Sequence, residues 1–164
     1  MAQISGSKPL LPSVLDRLID LQPQQTREPH RDQNQVLREL KQSVARDLEN
    51  LLNTRFRAKP FPPELDELHI SLVNYGIPDF TGANLGVAQR RDEFRAIIER
   101  VLRAYEPRFK TVKVQLVANQ EPTDRTLRFR IDALLYAEPA PEPVVFDSAL
   151  EPTSATFEVK RAAR

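Results

Sequence analysis

The feature that most limits the fold is a change of apolar period at Pro107. Before it, apolar residues recur at three and four positions, the spacing of one helix face; after it they alternate with polar residues, as on a half-buried strand. Val36, Leu37, Leu40, Val44, Leu48, Leu51 and Leu52 form one helical stripe, and Asp32 with Gln35 is placed for a capping box at its start. Lys59-Pro60-Phe61-Pro62-Pro63 stops that helix, and Leu65, Leu68 and Leu72 predict a second one ending near Tyr75-Gly76. A third stripe runs through Phe94, Ile97, Ile98, Val101, Leu102 and Tyr105. Pro107 ends this helix because it has no amide hydrogen and restricts Glu106.

Val112, Val114 and Leu116 then alternate with Lys113 and Gln115, and Leu127, Phe129, Ile131, Ala133 and Leu135 alternate with Arg128, Arg130, Asp132 and Leu134. These segments predict two strands paired antiparallel across the turn at 119–124. After a proline-rich break at 138–143, Val144 to Asp147 and Thr156 to Val159 predict a second pair. Helices followed by strands imply an α+β fold, with three main helices packed on one face of a small antiparallel sheet. A short amphipathic helix at about 12–20 precedes them, with Leu11, Val14, Leu15, Leu18 and Ile19 at helical spacing. So short a helix is marginal alone and must dock on its own domain or on a partner, and its separation by the polar connector 22–33 favours a partner. The expected organisation is an extension at 1–31, one domain at 32–160 and a tail at 161–164.

Composition narrows the function. Lys and Arg number 24 against 23 Asp and Glu, so no global field draws the chain to nucleic acid or an anionic membrane. With no cysteine there is no disulfide, thiolate nucleophile or thiolate metal site. The two histidines, His30 and His69, lack the spacing of a zinc site or a hydrolase dyad, and the four glycines are too scattered for a phosphate loop. The chain is therefore expected to use no metal or cofactor. It has no apolar stretch long enough for a signal h-region or membrane span, which makes the cytoplasm the expected location.

Five segments, in order along the chain, carry a resemblance to a known family. They are Leu11-Pro12-Ser13-Val14-Leu15-Asp16-Arg17-Leu18, Arg46-Asp47-Leu48-Glu49-Asn50-Leu51-Leu52-Asn53-Thr54-Arg55, Ser71 to Phe80 (SLVNYGIPDF), Tyr105-Glu106-Pro107-Arg108-Phe109, and Glu142-Pro143-Val144-Val145-Phe146-Asp147. Together they resemble the lysozyme-like baseplate-wedge family shared by contractile phage tails, tailocins and type VI secretion systems. The first and last segments point to the type VI branch.

The resemblance implies a non-enzymatic adaptor that joins wedge subunits of the TssF, TssG and TssK types, in a cytoplasmic baseplate docked on the inner-membrane complex. It also implies that the contractile sheath, of TssB/TssC type, polymerises from this subunit. It makes Glu106, Pro107 and Arg108 a docking element, to which Leu11, Val14, Leu15 and Leu18 of the first helix are added. An open sheet edge can accept an extended segment by backbone pairing, so Val144, Val145, Phe146 and Phe157 are the candidate sheath contacts. The alternatives are a wedge protein of a phage tail or tailocin, and a cell-wall hydrolase using Glu106 and Asp79. Against the hydrolase, Glu106 stands beside Arg108, a guanidinium that would pair with it.

Overall fold

The computed structural model describes residues 14–19, 23–24, 33–56, 62, 64–65, 67–68, 71–80, 85–119, 121, 124–137, 140–151 and 153–162. Two long helices, α2 (Gln33–Asn53) and α3 (Ala88–Tyr105), follow a single helical turn, α1 (Val14–Leu18). Four strands come next: β1 (Phe109–Val117), β2 (Leu127–Leu135), β3 (Glu142–Glu151) and β4 (Thr156–Arg161). They form one antiparallel sheet in the order β1-β2-β3-β4, so β1 and β4 are its edges. Both predicted strand pairs are present, and β2 and β3 join them into one sheet.

Strand alternation sorts the two faces. Val112, Val114, Phe129, Ile131, Phe146, Leu150, Phe157 and Val159 are buried toward the helices, while Lys113, Gln115, Arg128, Arg130, Asp147 and Lys160 face solvent. Helix α2 packs over β4 and α3 over β1. Their stripes supply Leu40, Val44, Leu48, Leu51 and Leu52 from one and Phe94, Ile98, Val101 and Leu102 from the other. Phe94 sits between these layers, with its ring 4.8 Å from Phe80, 6.0 Å from Phe129 and 6.3 Å from Phe157. Three of these rings come from different elements, so their burial ties loop, helix and sheet together.

One expectation is corrected. The described part of 64–75 holds no α-helix. Its backbone closes successive three-residue turns, Leu65 to Pro62, Leu68 to Leu65, Ser71 to Leu68 and Asn74 to Ser71, and becomes a 3-10 turn at Leu72–Asn74. Leu72 is 87% exposed, so the leucine spacing reflects turn periodicity without a buried face. The N-terminal helix expected at about 12–20 is described only as the five residues Val14–Leu18, where Val14 is 74% and Leu18 76% exposed and Asp16 makes the contact with α2. Leu11, His30, Asp32 and His69 lie outside the described residues, as does the side chain of Leu15.

The segment 71–80 is ordered by its junction with α2. Ile77 N–H donates to Thr54 O at 2.9 Å and Phe56 N–H donates to Ile77 O at 3.2 Å. Gly76 makes this approach possible. Its φ is +114°, and a Cβ there would lie 2.3 Å from Thr54 O. Ile77 and Phe80 are buried and Tyr75 is half-buried, so the three side chains anchor the segment around that glycine. The Arg55 guanidinium lies 4.6 Å above the Phe80 ring.

Candidate docking site

The corner between α3 and β1 is built by three residues. Glu106 N–H still donates to Leu102 O at 3.0 Å, so it closes the last helical turn; Pro107 cannot continue the helix, and Phe109 N–H turns back to Glu106 O at 3.1 Å. Arg108 folds over its neighbour. Its Nε donates to Glu106 Oε1 at 2.7 Å, its Nη2 donates to Oε2 at 2.5 Å, and its backbone N–H donates to Oε1 at 3.1 Å. This is the fork-to-fork arrangement that a guanidinium makes with a carboxylate. Only 5% of Glu106 is exposed, so the pair is an internal one.

From this corner the network reaches α2 and then α1. Arg108 Nη2 also donates to Asp47 Oδ2 at 2.8 Å, and Nη1 lies 3.5 Å from Ser43 Oγ. Arg46 donates to Asp47 Oδ1 at 3.1 and 3.2 Å and to Asp16 Oδ1 at 2.7 Å. Ser43 Oγ donates to Asp16 Oδ2 at 2.6 Å. Three carboxylates thus face two guanidinium groups, and five of the six side chains pair across different elements or turns. Burial works against the Arg108 charge, but the hydrogen bonds and charges of Glu106 and then Asp47 outweigh it and raise its pKa. Tyr75 borders the cluster and meets Tyr105 edge-on at 5.4 Å. Burial raises the Tyr75 pKa first, and the charges of Asp47 and Glu106 add to that against the opposing Arg108.

Glu106 and Arg108 are therefore brought together as their spacing suggested, but they point inward, and of the motif Pro107 is the exposed member. Val14 and Leu18 lie exposed on the one turn that Asp16 fastens to the same network. The four candidate sheath residues do not form a surface group. Val144, Phe146 and Phe157 are core, Val145 is half-buried, and β3 is an inner strand with neighbours on both sides. Sequence reasoning missed Asp16, Ser43, Arg46 and Asp47 as members of the cluster. A signal was present: Ser43 and Asp47 interrupt the apolar face of α2 at helical spacing from Leu40, Val44 and Leu51. Among the described residues no group of histidine, cysteine and carboxylate side chains is gathered to hold a metal, and no helix is long and apolar enough to cross a membrane.

The ionic corner ties α1, α2, α3 and the start of β1 together, with the exposed side chains of Val14 and Leu18 beside it. The chain belongs to the family described as baseplate wedge protein gp25, which matches residues 38–140. The match spans α2 to β2 and takes in Ser43, Arg46, Asp47, Glu106 and Arg108, while Asp16, β3 and β4 lie outside it. TssE is the homologue of gp25 in type VI secretion. Membership carries a structural role in a baseplate, in contact with other baseplate subunits. No curated protein matches the chain.

Proposed function

We propose that this chain is the TssE-type subunit of a type VI secretion baseplate, a non-enzymatic adaptor that joins TssF-, TssG- and TssK-type subunits. The contractile sheath of TssB/TssC type then polymerises from it, on the cytoplasmic side of the inner-membrane complex. The observation that carries the docking part is the linkage of two candidate surfaces through one partly buried network. Asp16 ties α1 to Ser43 and Arg46, and Arg108 ties the same helix face to Glu106. Exposed Val14 and Leu18 supply apolar anchors, and the network holds them and the Pro107 corner in fixed relation. Such preorganisation lowers the entropy lost on binding. Sheath attachment works through sheet backbone, because the side chains of Val144, Phe146 and Phe157 are committed to the core.

The test is co-purification with co-expressed TssF- and TssG-type subunits. Altering Glu106 and Arg108 would confound it, since breaking a buried pair destabilises the fold itself. Val14→Asp with Leu18→Asp is the cleaner variant, because both side chains are already in solvent. Capture by the unaltered chain and at least a roughly tenfold loss in the variant is the expected result, the scale on which interface anchors act. Equal capture would move the contact away from α1. No capture by the unaltered chain would sink the type VI reading and leave a wedge protein of a phage tail or tailocin.

A further inference from the structure

The pairing register turns the backbone of Val112, Val114 and Leu116 away from β2, toward the outer edge of the sheet. That edge is closed at its middle by two side chains of α3. Val114 N–H donates to Glu99 Oε2 at 3.1 Å, and Arg95 Nη1 donates to Val114 O at 3.3 Å. One acceptor and one donor are what a residue of a neighbouring strand would offer, so the pair stands in for a strand. Glu99 is itself steadied by Arg95 at 3.2 Å and Arg103 at 3.0 Å. Among the described residues no side chain caps Val112 or Leu116 in this way. The cap therefore interrupts an edge that is otherwise available for pairing.

We propose that Arg95 and Glu99 form a removable cap, and that the β1 edge beneath it pairs antiparallel with the β1 edge of a second copy of this chain, centred on Val114. The sequence of β1 is self-complementary about that centre. Val114 meets itself and Val112 meets Leu116 on the core side; Lys113 meets Gln115 and Thr111 meets Val117 on the solvent side. No like charges face each other, which is the condition an antiparallel pair requires. The arrangement is two-fold and closed, because the other edge of each sheet is covered along β4 by Asn53 and Glu49. With the cap in place the free chain stays single; with the cap drawn aside the edge becomes an adhesive surface. This inference goes beyond the adaptor reading and does not depend on it.

Light scattering on eluted protein tests it. The unaltered chain is expected at the mass of one copy, and an Arg95→Ala, Glu99→Ala variant at twice that mass, since alanine preserves the helix. In the uncapped background Gln115→Lys sets two pairs of lysines opposite each other and weakens the dimer roughly tenfold, while Gln115→Glu strengthens it. Amide exchange at Val114 should be fast in the dilute uncapped variant and slow again when it is concentrated. Should the double variant unfold, Glu99→Ala alone with the same exchange measurement decides the matter. A folded, uncapped chain that stays single at all concentrations overturns the proposal. So does an unaltered chain that already pairs, or a dimer indifferent to the charge at position 115.

Discussion

The two edges of the sheet are closed by the same device, and they differ in how far it extends. Along β4 and the residue before it, side chains of α2 and of Arg55 just beyond it cover successive outward groups: Arg55 donates to Ala155 O at 2.7 Å, Asn53 both accepts from Phe157 N–H at 2.8 Å and donates to Phe157 O at 2.9 Å, and Glu49 accepts from Val159 N–H at 3.0 Å. Along β1, among the described residues, side chains cover Val114 alone, through Arg95 and Glu99. A helix can seal an edge with polar side chains at four-residue spacing, because that rise, about 6 Å, nearly matches the roughly 6.7 Å of two strand residues. The β4 edge is thus built as part of the fold, and the β1 edge is built to be available. β1 makes up the deficit at its start, where the Glu106–Arg108 corner pins the strand to α3 and α2.

The largest expected effect comes from breaking that corner. Arg108→Leu leaves the Glu106 carboxylate buried without its partner, a change that costs about 3–5 kcal/mol, read as a fall in the urea midpoint. Arg108→Lys keeps the charge and loses the fork, so it falls between. A loss below about 1 kcal/mol for Arg108→Leu would place the pair with ordinary surface ion pairs and deprive β1 of its special fastening.

A smaller effect is expected at the other edge. Asn53→Ala removes two neutral hydrogen bonds to Phe157, about 1–2 kcal/mol in all. Its signature is local: amide exchange should quicken at Phe157 before the rest of β4, because the ladder to β3 remains. Unchanged exchange there would mean that β4 is closed by apolar packing under α2 and that its polar caps are incidental.

These contrasts were only partly legible in the sequence. The period change at Pro107 showed the order of helices and strands, and the buried stripes of α2 and α3 matched it because a 3.6-residue repeat is hard to satisfy otherwise. The leucines at 65, 68 and 72 misled, since the same spacing serves three-residue turns, and spacing does not say which carbonyl accepts. Glu49, Asn53, Arg95 and Glu99 lie off the apolar stripes of α2 and α3. Their role depends on where the sheet edges lie, which is tertiary information. The Glu106-Pro107-Arg108 corner was visible as a unit, while its ties to Asp47 and Ser43, and through Ser43 to Asp16, were not, because residues 27 to 65 positions apart had to be brought together by the fold.

The smallest expected effect lies in the turn that joins β1 to β2, and it is one of pH. The Asp124 carboxylate is held below its ordinary range, at about 2, first by the Thr126 hydroxyl, then by the Thr126 backbone N–H at 2.9 Å and by Arg128 at 3.1 Å. Asn119 closes the same turn by donating to Asp124 O and Thr126 O, each at 2.7 Å. The sign follows from the lowered value: the stabilisation is complete above the unfolded aspartate value of about 3.9 and is lost as the pH falls through about 2. Acid should therefore loosen the β1 hairpin within that window, and Asp124→Asn should flatten the dependence there. Carboxyl resonance titration checks it directly. A midpoint near 2 means the turn fixes the register on which the Val114 cap depends; a midpoint near 4 means the turn is loose and β1 is held by its corner and its cap alone.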